Sequence, residues 1–375
     1  MTTPNPGPPY EPSVESPLFL LAMDHRSSFA QTLFAVTGEP TDEDLRRMRD
    51  AKTVIYDGAL QAFGDGLPAG RAGVLVDERL GSDVAVRAKG DGLVLAMPIE
   101  RSGARLFELE YGNTFSEHVE TFDPDFFKVL VHYNPADDER ERVIQTERLS
   151  RVSEWAEQTG RRWLFELLVP PTRDQLGTYE DQDHFDRQAR PALTAEAITE
   201  LEAAGVHPSI WKLEGYETAD GAQHVLEVAT HGDHPAVCIV LGRNAPMSTV
   251  EHWIDVAAPL EGFVGFAVGR SVWDQALHDL LAGRIDRKVA VDLIAHRYRE
   301  LIDTYLEARH PGLSGRLRPE PFTWQHPRLT EDRELIIRRA LAGADMRGTR
   351  LPAWMVATLM AEVEALRGGT PAPPS

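Results

Sequence analysis

The sequence predicts a (β/α)8 barrel, in which eight parallel strands close into a ring and helices cover its outside. Eight short apolar segments of strand length alternate with longer segments of helical periodicity, which is the order that such a barrel requires. The strand segments are rich in apolar and β-branched residues, as in a parallel sheet buried on both faces. A doubly wound open sheet is the structural alternative, although the glycine-rich phosphate-loop motifs of that fold are absent.

The predicted elements follow one another regularly and place the barrel at residues 17–308. The strands comprise residues 18–22, 73–76, 93–97, 127–131, 163–169, 210–213, 237–241 and 264–268. Helices are predicted over residues 42–63, 139–158, 194–204, 219–230, 249–258 and 289–306, with a short one over 82–89. Thr41-x-x-Asp44 resembles a capping box at the start of the first helix, and Gly205 ends the helix over residues 194–204.

Both ends of the chain differ from the barrel in composition. The proline-rich residues 1–16 are predicted to be a disordered lead, and residues 368–375 a disordered tail. Residues 309–367 are predicted to form a helical extension, with helices over 332–342 and 352–366. We expect this extension to pack on the barrel or on a second subunit of a homo-oligomer.

Composition argues against several classes of binding partner and of covalent or metal site. The chain of 375 residues has a formal net charge of −20, which argues against a nucleic-acid or anionic-membrane partner. Its single cysteine, Cys238, excludes an intrachain disulfide and a cysteine-pair zinc site. No segment is long and apolar enough to span a membrane, and the N-terminus does not resemble a signal peptide. The sequence therefore predicts a cytoplasmic protein.

Lysine is rare, and two lysines lie inside strongly apolar segments. Five of the 39 Lys and Arg residues are lysines, and of these Lys128 and Lys212 fall within predicted strands. Strand alternation places Lys212 on one face with Glu214, and Lys128 on one face with His132, so both lysines can point into the barrel. A buried lysine can lose its proton and act as a nucleophile, which arginine cannot do. Alternatively, the lysine stem packs while its ammonium group reaches a carboxylate or solvent.

Polar residues occur in or after all eight predicted strands, where barrels of this class bind ligands. The candidate site residues are Asp24, His25, Arg26, Asp77, Glu100, Lys128, His132, Glu166, Lys212, Glu214, Gly242, Arg243, Gly269 and Arg270. Glu166 could shuttle protons, or it could merely pair with Lys128 or Lys212. The two Gly-Arg pairs after the last strands predict a phosphate site, unless they are ordinary strand ends.

Motifs of other enzyme classes are missing. The P-loop, the zincin motif and the nucleophile elbow are all absent from the chain. The segment His231-Gly232-Asp233-His234 could bind a metal, but it is predicted at the opposite end of the barrel from the candidate site. We therefore expect neither a metal nor another cofactor.

Six segments of the chain resemble the DUF2090 family, namely residues 21–26, 51–58, 128–135, 165–171, 211–215 and 265–270. That domain is also the aldolase-like C-terminal half of bacterial myo-inositol catabolism proteins, and it is distantly similar to class I tagatose-1,6-bisphosphate aldolases. The resemblance implies that Lys212 is the Schiff-base lysine and Glu166 the acid/base. It also implies active-site positions for Asp24 and Lys128, and phosphate binding by Gly269 and Arg270. At His25 the tagatose enzymes have glutamine.

The expected function is therefore that of a class I aldolase. Its substrate would be a phosphorylated keto sugar or keto sugar acid, and the resemblance suggests 2-deoxy-5-keto-gluconate 6-phosphate, an intermediate of inositol catabolism. The products would be dihydroxyacetone phosphate and an aldehyde. Two alternatives remain open: a metal-dependent aldolase or isomerase that uses Asp24, His25, Asp77 and Glu100, and a non-catalytic barrel that binds sugar phosphates.

Overall fold

The computed structural model describes residues 10–64, 71–231 and 234–310, and these form a closed barrel of eight parallel strands. Each strand pairs with the next, and the eighth pairs with the first. The strands are β1 Leu18–Ala22, β2 Ala72–Leu75, β3 Val94–Pro98, β4 Phe126–His132, β5 Trp163–Leu168, β6 Ile210–Glu214, β7 Val237–Leu241 and β8 Phe263–Val268. The predicted barrel is confirmed, and every predicted strand lies within one residue of the observed one at both ends.

Helices follow the strands around the outside of the ring. They are α1 Ser27–Phe34, α2 Asp42–Gly64, α3 Glu78–Gly90, α4 Phe115–Phe122, α5 Glu139–Thr159, α6 Arg173–Thr178, α7 Gln182–Gln188, α8 Arg190–Ala203, α9 Ala219–Thr230, α10 Met247–Ala257, α11 Arg270–Leu281 and α12 Arg287–Arg309. The sequence did not predict α1, α4, α6 and α7. These helices have six to eight residues, which is too short for a periodic pattern to be read.

Capping interactions account for two helix starts. Asp44 N donates to Thr41 Oγ1 at 3.2 Å, and Thr41 N donates to Asp44 Oδ2 at 3.0 Å. This reciprocal pair confirms the capping pattern before α2. Helix α3 is longer than predicted because Asp77, directly after β2, accepts a hydrogen bond from Leu80 N and begins the helix there.

Strand alternation divides the barrel side chains into two sets. Outward residues such as Phe127 and Trp211 pack against the helices in one large apolar cluster. Inward residues such as Leu18, Phe126 and Leu164 form a separate apolar cluster inside the ring. Farther along β4 and β5, inward positions include the polar residues Lys128 and Glu166, so the inner apolar cluster lies beneath the polar strand ends.

The N-terminal segment packs against this inner apolar cluster. Tyr10 packs against the inner cluster, and its hydroxyl donates to the carbonyl oxygens of Ser16 and Pro17 at 2.8 and 2.9 Å. The sequence assigned residues 10–16 to a disordered lead, and here they are placed without helix or strand. The segment therefore adds apolar contact at the end of the barrel where β1 begins.

Some predictions concern residues that the structure does not describe. Residues 1–9 of the lead and residues 311–375, which hold both predicted helices of the extension and the predicted tail, lie outside the described part. Among the helices that are described, none has the length and apolarity needed to cross a membrane.

We expect Gly265→Ala to destabilise the barrel strongly. Gly265 in β8 has a φ of +142°, and a Cβ there would overlap the carbonyl oxygen of Leu18 in β1. The strain and overpacking should lower the free energy of unfolding by about 3 kcal/mol or more in urea titrations. Gly160→Ala is the control, because Gly160 has a φ of +65° but open space around it; its cost should be about 1–2 kcal/mol. Equal losses would contradict the role of the β1–β8 contact.

Candidate active site

A cavity of about 180 Å³ opens at the carboxyl ends of the strands. Its lining residues come from five strand ends and from the connection between β3 and α4: Asp24, His25, Arg26, Ser28, Glu100, residues 101–108, Lys128, Leu130, His132, Glu166 and Lys212. The structure therefore brings together eight of the fourteen residues that the sequence proposed for the site.

Lys128 lies at the centre of three carboxylates. Its Nζ donates to Asp24 Oδ2 at 2.9 Å and to Glu100 Oε1 at 3.2 Å, and it lies 2.8 Å from Glu166 Oε2. The residue is 1% exposed. Burial disfavours the charged ammonium, but the three carboxylates outweigh it and raise the pKa of Lys128 above its usual value. Lys128 therefore remains protonated.

Glu166 bridges Lys128 and Lys212. Its Oε1 lies 2.7 Å from the Nζ of Lys212, while its Oε2 contacts Lys128. The contact with Lys212 follows from strand pairing, because Glu166 in β5 and Lys212 in β6 are register partners. Burial would raise the pKa of the Glu166 carboxyl, but the two lysines hold it below its usual value. Glu166 is therefore an ionised base in contact with the buried side-chain nitrogen of Lys212.

Asp24 and His25 follow β1, and at pH 7 one is ionised and the other neutral. Burial opposes ionisation of Asp24, but Lys128 and Lys212 lower its pKa below the usual range. For His25, burial lowers the pKa to about 4; Asp24 opposes this shift, and the cations of Arg270 and Lys212 add to it. The His25 ring meets Trp273 edge-on at 5.5 Å between centroids. His25 is therefore neutral at pH 7 beside an ionised aspartate.

Arg26 and Glu100 form an ion pair on the side of the cavity at β3. Arg26 Nη2 donates to Glu100 Oε1 at 2.9 Å, and Arg26 Nη1 donates to the Glu100 carbonyl oxygen at 2.8 Å. Glu110 also contacts Nη1, at 3.4 Å. Burial raises the pKa of Glu100, and the opposing effects of Lys128 and Arg26 do not cancel it.

The connection between β3 and α4 covers part of the cavity, and the sequence interpretation missed its role. Glu100 and Leu109 form an antiparallel bridge at its base. Farther along, Arg105 donates to both Glu141 oxygens at 2.5 and 2.7 Å, and Phe107 N donates to Gln145 Oε1 at 2.9 Å. The unusual length of this connection was the available signal, because long ordered loops at this end of a barrel often carry function.

Arg243 and Glu214 belong to an ion-pair network on the rim, and neither lines the cavity. Arg243 donates to Glu214 Oε1 at 2.8 Å and to Asp186 Oδ2 at 2.5 Å. The second oxygen of Glu214 accepts from Val169 N at 3.0 Å. Since both charges are already paired, Arg243 is less available for an anion than the sequence suggested.

The turn from β8 into α11 lies next to His25. A Cβ at Gly269 would lie 3.0 Å from His25 Cε1 and would overlap the carbonyl oxygen of Ala22. Arg270 begins α11, and its buried Nε has no hydrogen-bond partner within the described residues. Gly242, after β7, is also close to this turn, since its Cβ would come 3.5 Å from Ser271 Oγ. This arrangement leaves Arg270 able to bind an anion.

Asp77 lies in a separate buried pair. It contacts the ammonium group of Lys52, from α2, and both residues are almost fully buried. The four residues of the metal-dependent alternative are thus not brought together, since Lys128 occupies the space between Asp24 and Glu100. Within residues 10–64, 71–231 and 234–310, no group of three or more His, Cys, Asp or Glu side chains is arranged to hold a metal ion.

The remaining histidine candidates are His132 and the motif at residues 231–234. His132 lines the cavity, and burial lowers its pKa. Of the motif at residues 231–234, His231 and His234 lie between α9 and β7, at the other end of the barrel, and residues 232 and 233 lie outside the described part. His234 stacks on His207 with 3.7 Å between centroids.

The comparisons with known proteins agree with this fold. The sequence profile of the DUF2090 family, described as an uncharacterized protein conserved in bacteria, matches residues 11–309. The fructose-bisphosphate aldolase of Plasmodium falciparum is 11% identical over 77% of this chain and 90% of its own, with a TM-score of 0.55. Identity at this level shows the fold alone. No curated protein sequence matches the chain.

Two other solved structures are similar at lower TM-scores. A Schiff-base-forming fructose-1,6-bisphosphate aldolase is 15% identical over 75% of this chain and 94% of its own, with a TM-score of 0.45. A Corynebacterium glutamicum protein is 18% identical over 76% and 86%, with a TM-score of 0.49.

We expect His25→Gln to reduce the loss of stability in mild acid. The unfolded chain takes up a proton at His25 near the ordinary pKa of 6.5, whereas the folded chain does so only near 4. Stability therefore falls as the pH drops through this window, and the substitution should recover about 2 kcal/mol of the difference between pH 7 and pH 4.5. Urea unfolding at both pH values measures this. His224→Gln, on the exposed side of α9, should change nothing, and an unaltered slope in His25→Gln would contradict the neutral state of His25.

Proposed function

The chain belongs to the DUF2090 family, and we propose that it is a class I aldolase that cleaves a phosphorylated keto sugar through a Schiff base on Lys212. The observation that carries the proposal is the contact of one buried carboxylate, Glu166, with two buried lysines at 2.7 and 2.8 Å. The barrel alone would not support it, because this fold hosts many reactions. The proposal therefore rests on what these three side chains do together.

Lys212 is the nucleophile because it has one carboxylate partner, whereas Lys128 has three. Glu166 takes a proton from the Lys212 ammonium and leaves a free amine. The amine adds to the substrate ketone to give a carbinolamine. Glu166 returns its proton to the carbinolamine hydroxyl, which leaves as water, and the iminium ion remains.

Cleavage uses the same carboxylate as a base. Glu166, ionised again, accepts the proton of the substrate hydroxyl on the second carbon beyond the iminium carbon. The bond that joins this carbon to the carbon next to the iminium group breaks. Its electron pair moves toward the iminium group, and an aldehyde and an enamine form. The protonated Glu166 returns its proton to the enamine carbon, which restores an iminium ion. Addition of water to this ion releases the ketone product and restores Lys212.

Lys128 supports this cycle as a fixed positive charge. By holding its proton, it keeps both Asp24 and Glu166 ionised in a buried site. Asp24 is then an acceptor for substrate hydroxyl groups, and Glu166 recovers its base form after each proton transfer. The preorganised charges require no rearrangement at the moment of reaction.

Arg270 and the amides at the start of α11 are proposed to bind the substrate phosphate, next to Gly242 and Gly269. A helix N-terminus presents free N–H groups to an anion, and the unpartnered Nε of Arg270 adds a charged donor. The family resemblance suggests 2-deoxy-5-keto-gluconate 6-phosphate as one candidate, and keto sugar phosphates without a carboxylate are another.

Borohydride reduction should trap the ketose phosphate on Lys212. Peptide mass mapping after incubation with dihydroxyacetone phosphate should find the adduct on Lys212 in the wild type and none in Lys212→Arg or Lys212→Met. Lys288→Arg, on the exposed surface of α12, should retain full labelling. An adduct on Lys128 would contradict the nucleophile assignment. Binding of ketose phosphates with neither labelling nor turnover would favour the non-catalytic alternative.

Arg270→Ala should weaken phosphorylated ligands selectively. Loss of a charge-assisted contact costs about 2–3 kcal/mol, which is roughly a 30- to 150-fold increase in Kd by calorimetry. Dihydroxyacetone, which lacks the phosphate, should bind equally to both proteins. Arg284→Ala removes an exposed arginine that pairs with Asp279 and should have no effect. An equal loss for phosphorylated and unphosphorylated ligands would mean that Arg270 supports the barrel rim.

A further inference from the structure

We infer that the Arg26–Glu100 pair recognises a hydroxyl group on the aldehyde half of the substrate, so that the enzyme selects neutral hydroxyaldehydes over aldehyde acids. The inference rests on the proposed aldolase function and narrows its substrate class. Glu100 follows β3, which lies across the closed ring from β7 and three strands from both β6 and β8.

This position corresponds to the far end of the substrate. Lys212 on β6 fixes the carbonyl carbon, and Arg270 after β8 fixes the phosphate of the ketone half. The carbons beyond the cleaved bond must then extend away from these groups. Glu100 and Arg26 line the same cavity as Lys212, and the strand before Glu100 is three strands away from both β6 and β8.

Each member of the pair carries a buried polar atom without a partner in the described part of the chain. These atoms are Glu100 Oε2, an acceptor, and Arg26 Nε, a donor. The two unpartnered atoms belong to side-chain groups that are joined by one hydrogen bond, which Nη2 of Arg26 donates to Oε1 of Glu100 at 2.9 Å. Buried polar groups without partners are uncommon in native proteins, because each costs about 1–3 kcal/mol. A ligand that satisfies both atoms would recover this cost.

A hydroxyl group has the complementary chemistry, because it donates one hydrogen bond and accepts others. A carboxylate only accepts, so it could bond to Arg26 Nε but would face Glu100 Oε2 with no proton to share. A methylene group would satisfy neither atom. Both atoms are covered in the free protein, and rotation about the last torsion of Glu100 exchanges its two oxygens.

The local charge also disfavours an anion. The positive groups Arg26 and Lys128 are surrounded by the carboxylates of Glu100, Glu110, Asp24 and Glu166. The nearby Arg105 is paired with Glu141. Arg101, which also lines the cavity, is paired with Glu108. Among the residues that the structure describes, this end of the cavity therefore offers no uncompensated cation to an aldehyde carboxylate, in contrast to Arg270 at the proposed phosphate end.

The test uses the condensation reaction with dihydroxyacetone phosphate and three aldehydes of the same carbon number: glyceraldehyde, propionaldehyde and malonate semialdehyde. We expect kcat/KM to be highest for glyceraldehyde in the wild type. Glu100→Gln converts the free acceptor into an amide donor beside Arg26 Nε. This variant should lower the preference for glyceraldehyde over propionaldehyde by at least about tenfold and raise the relative rate with malonate semialdehyde. Glu120→Gln, on the exposed side of α4, is the control and should keep the wild-type order.

Two readouts separate this inference from the proposed function. Borohydride trapping of dihydroxyacetone phosphate needs no aldehyde. It should therefore be equal in the wild type and in Glu120→Gln, and the adduct on Lys212 should still form in Glu100→Gln, where the lost contact with Lys128 can lower its yield. Arg26→Lys, which keeps the charge but removes Nε, should also reduce the preference for glyceraldehyde and covers the case in which Glu100→Gln does not fold. Either of two results would overturn the inference alone. One is trapping on Lys212 with an unchanged aldehyde preference in both variants, and the other is a wild type that prefers malonate semialdehyde. Failure of trapping in the wild type would overturn the aldolase proposal and this inference with it.

Discussion

The bridge from Glu166 to Lys128 and Lys212 is the interaction on which the rest of the site depends. Neighbouring strand ends from β3 to β6 supply Glu100, Lys128, Glu166 and Lys212, so charges of opposite sign alternate around one half of the ring. Breaking a buried pair by removing one member leaves an uncompensated charge in a medium of low polarity. Each charge therefore fixes its neighbours, and the geometry of the amine and its base is set before any ligand arrives.

Much of this arrangement could be predicted from the sequence. Strand lengths and alternation were sufficient to locate all eight strands and to place Lys128 and Lys212 on inward faces, because the two-residue period of a strand leaves little choice once bulky apolar neighbours must face the helices. The rarity of lysine directed attention to the two strands whose lysines line the cavity. The sequence also left open whether Glu166 paired with one lysine or the other, and the structure pairs it with both.

The remaining features depend on tertiary partners that no local pattern reveals. Asp77 occupies a strand end like Asp24, yet it pairs with Lys52 from a helix and caps α3. Arg243 has the same Gly-Arg context as Arg270, but Asp186 from the short and unpredicted α7 helps to neutralise it. The covering connection after β3 is held by side chains of α5. The tertiary fold decides which of several charged residues at the strand ends form ion pairs with one another.

The inward polar residues also constrain the assembly of the barrel itself. If β4, β5 or β6 slipped by one residue, its lysine or glutamate would turn toward the helices and lie unpaired in the outer apolar cluster. Such mispaired rings are disfavoured by the desolvation of an ion, a cost of several kcal/mol, whereas purely apolar strands would tolerate the slip more easily. The groups proposed for carbonyl chemistry thus also act as register markers, and their replacement by apolar residues should broaden the set of strand pairings that the chain can adopt.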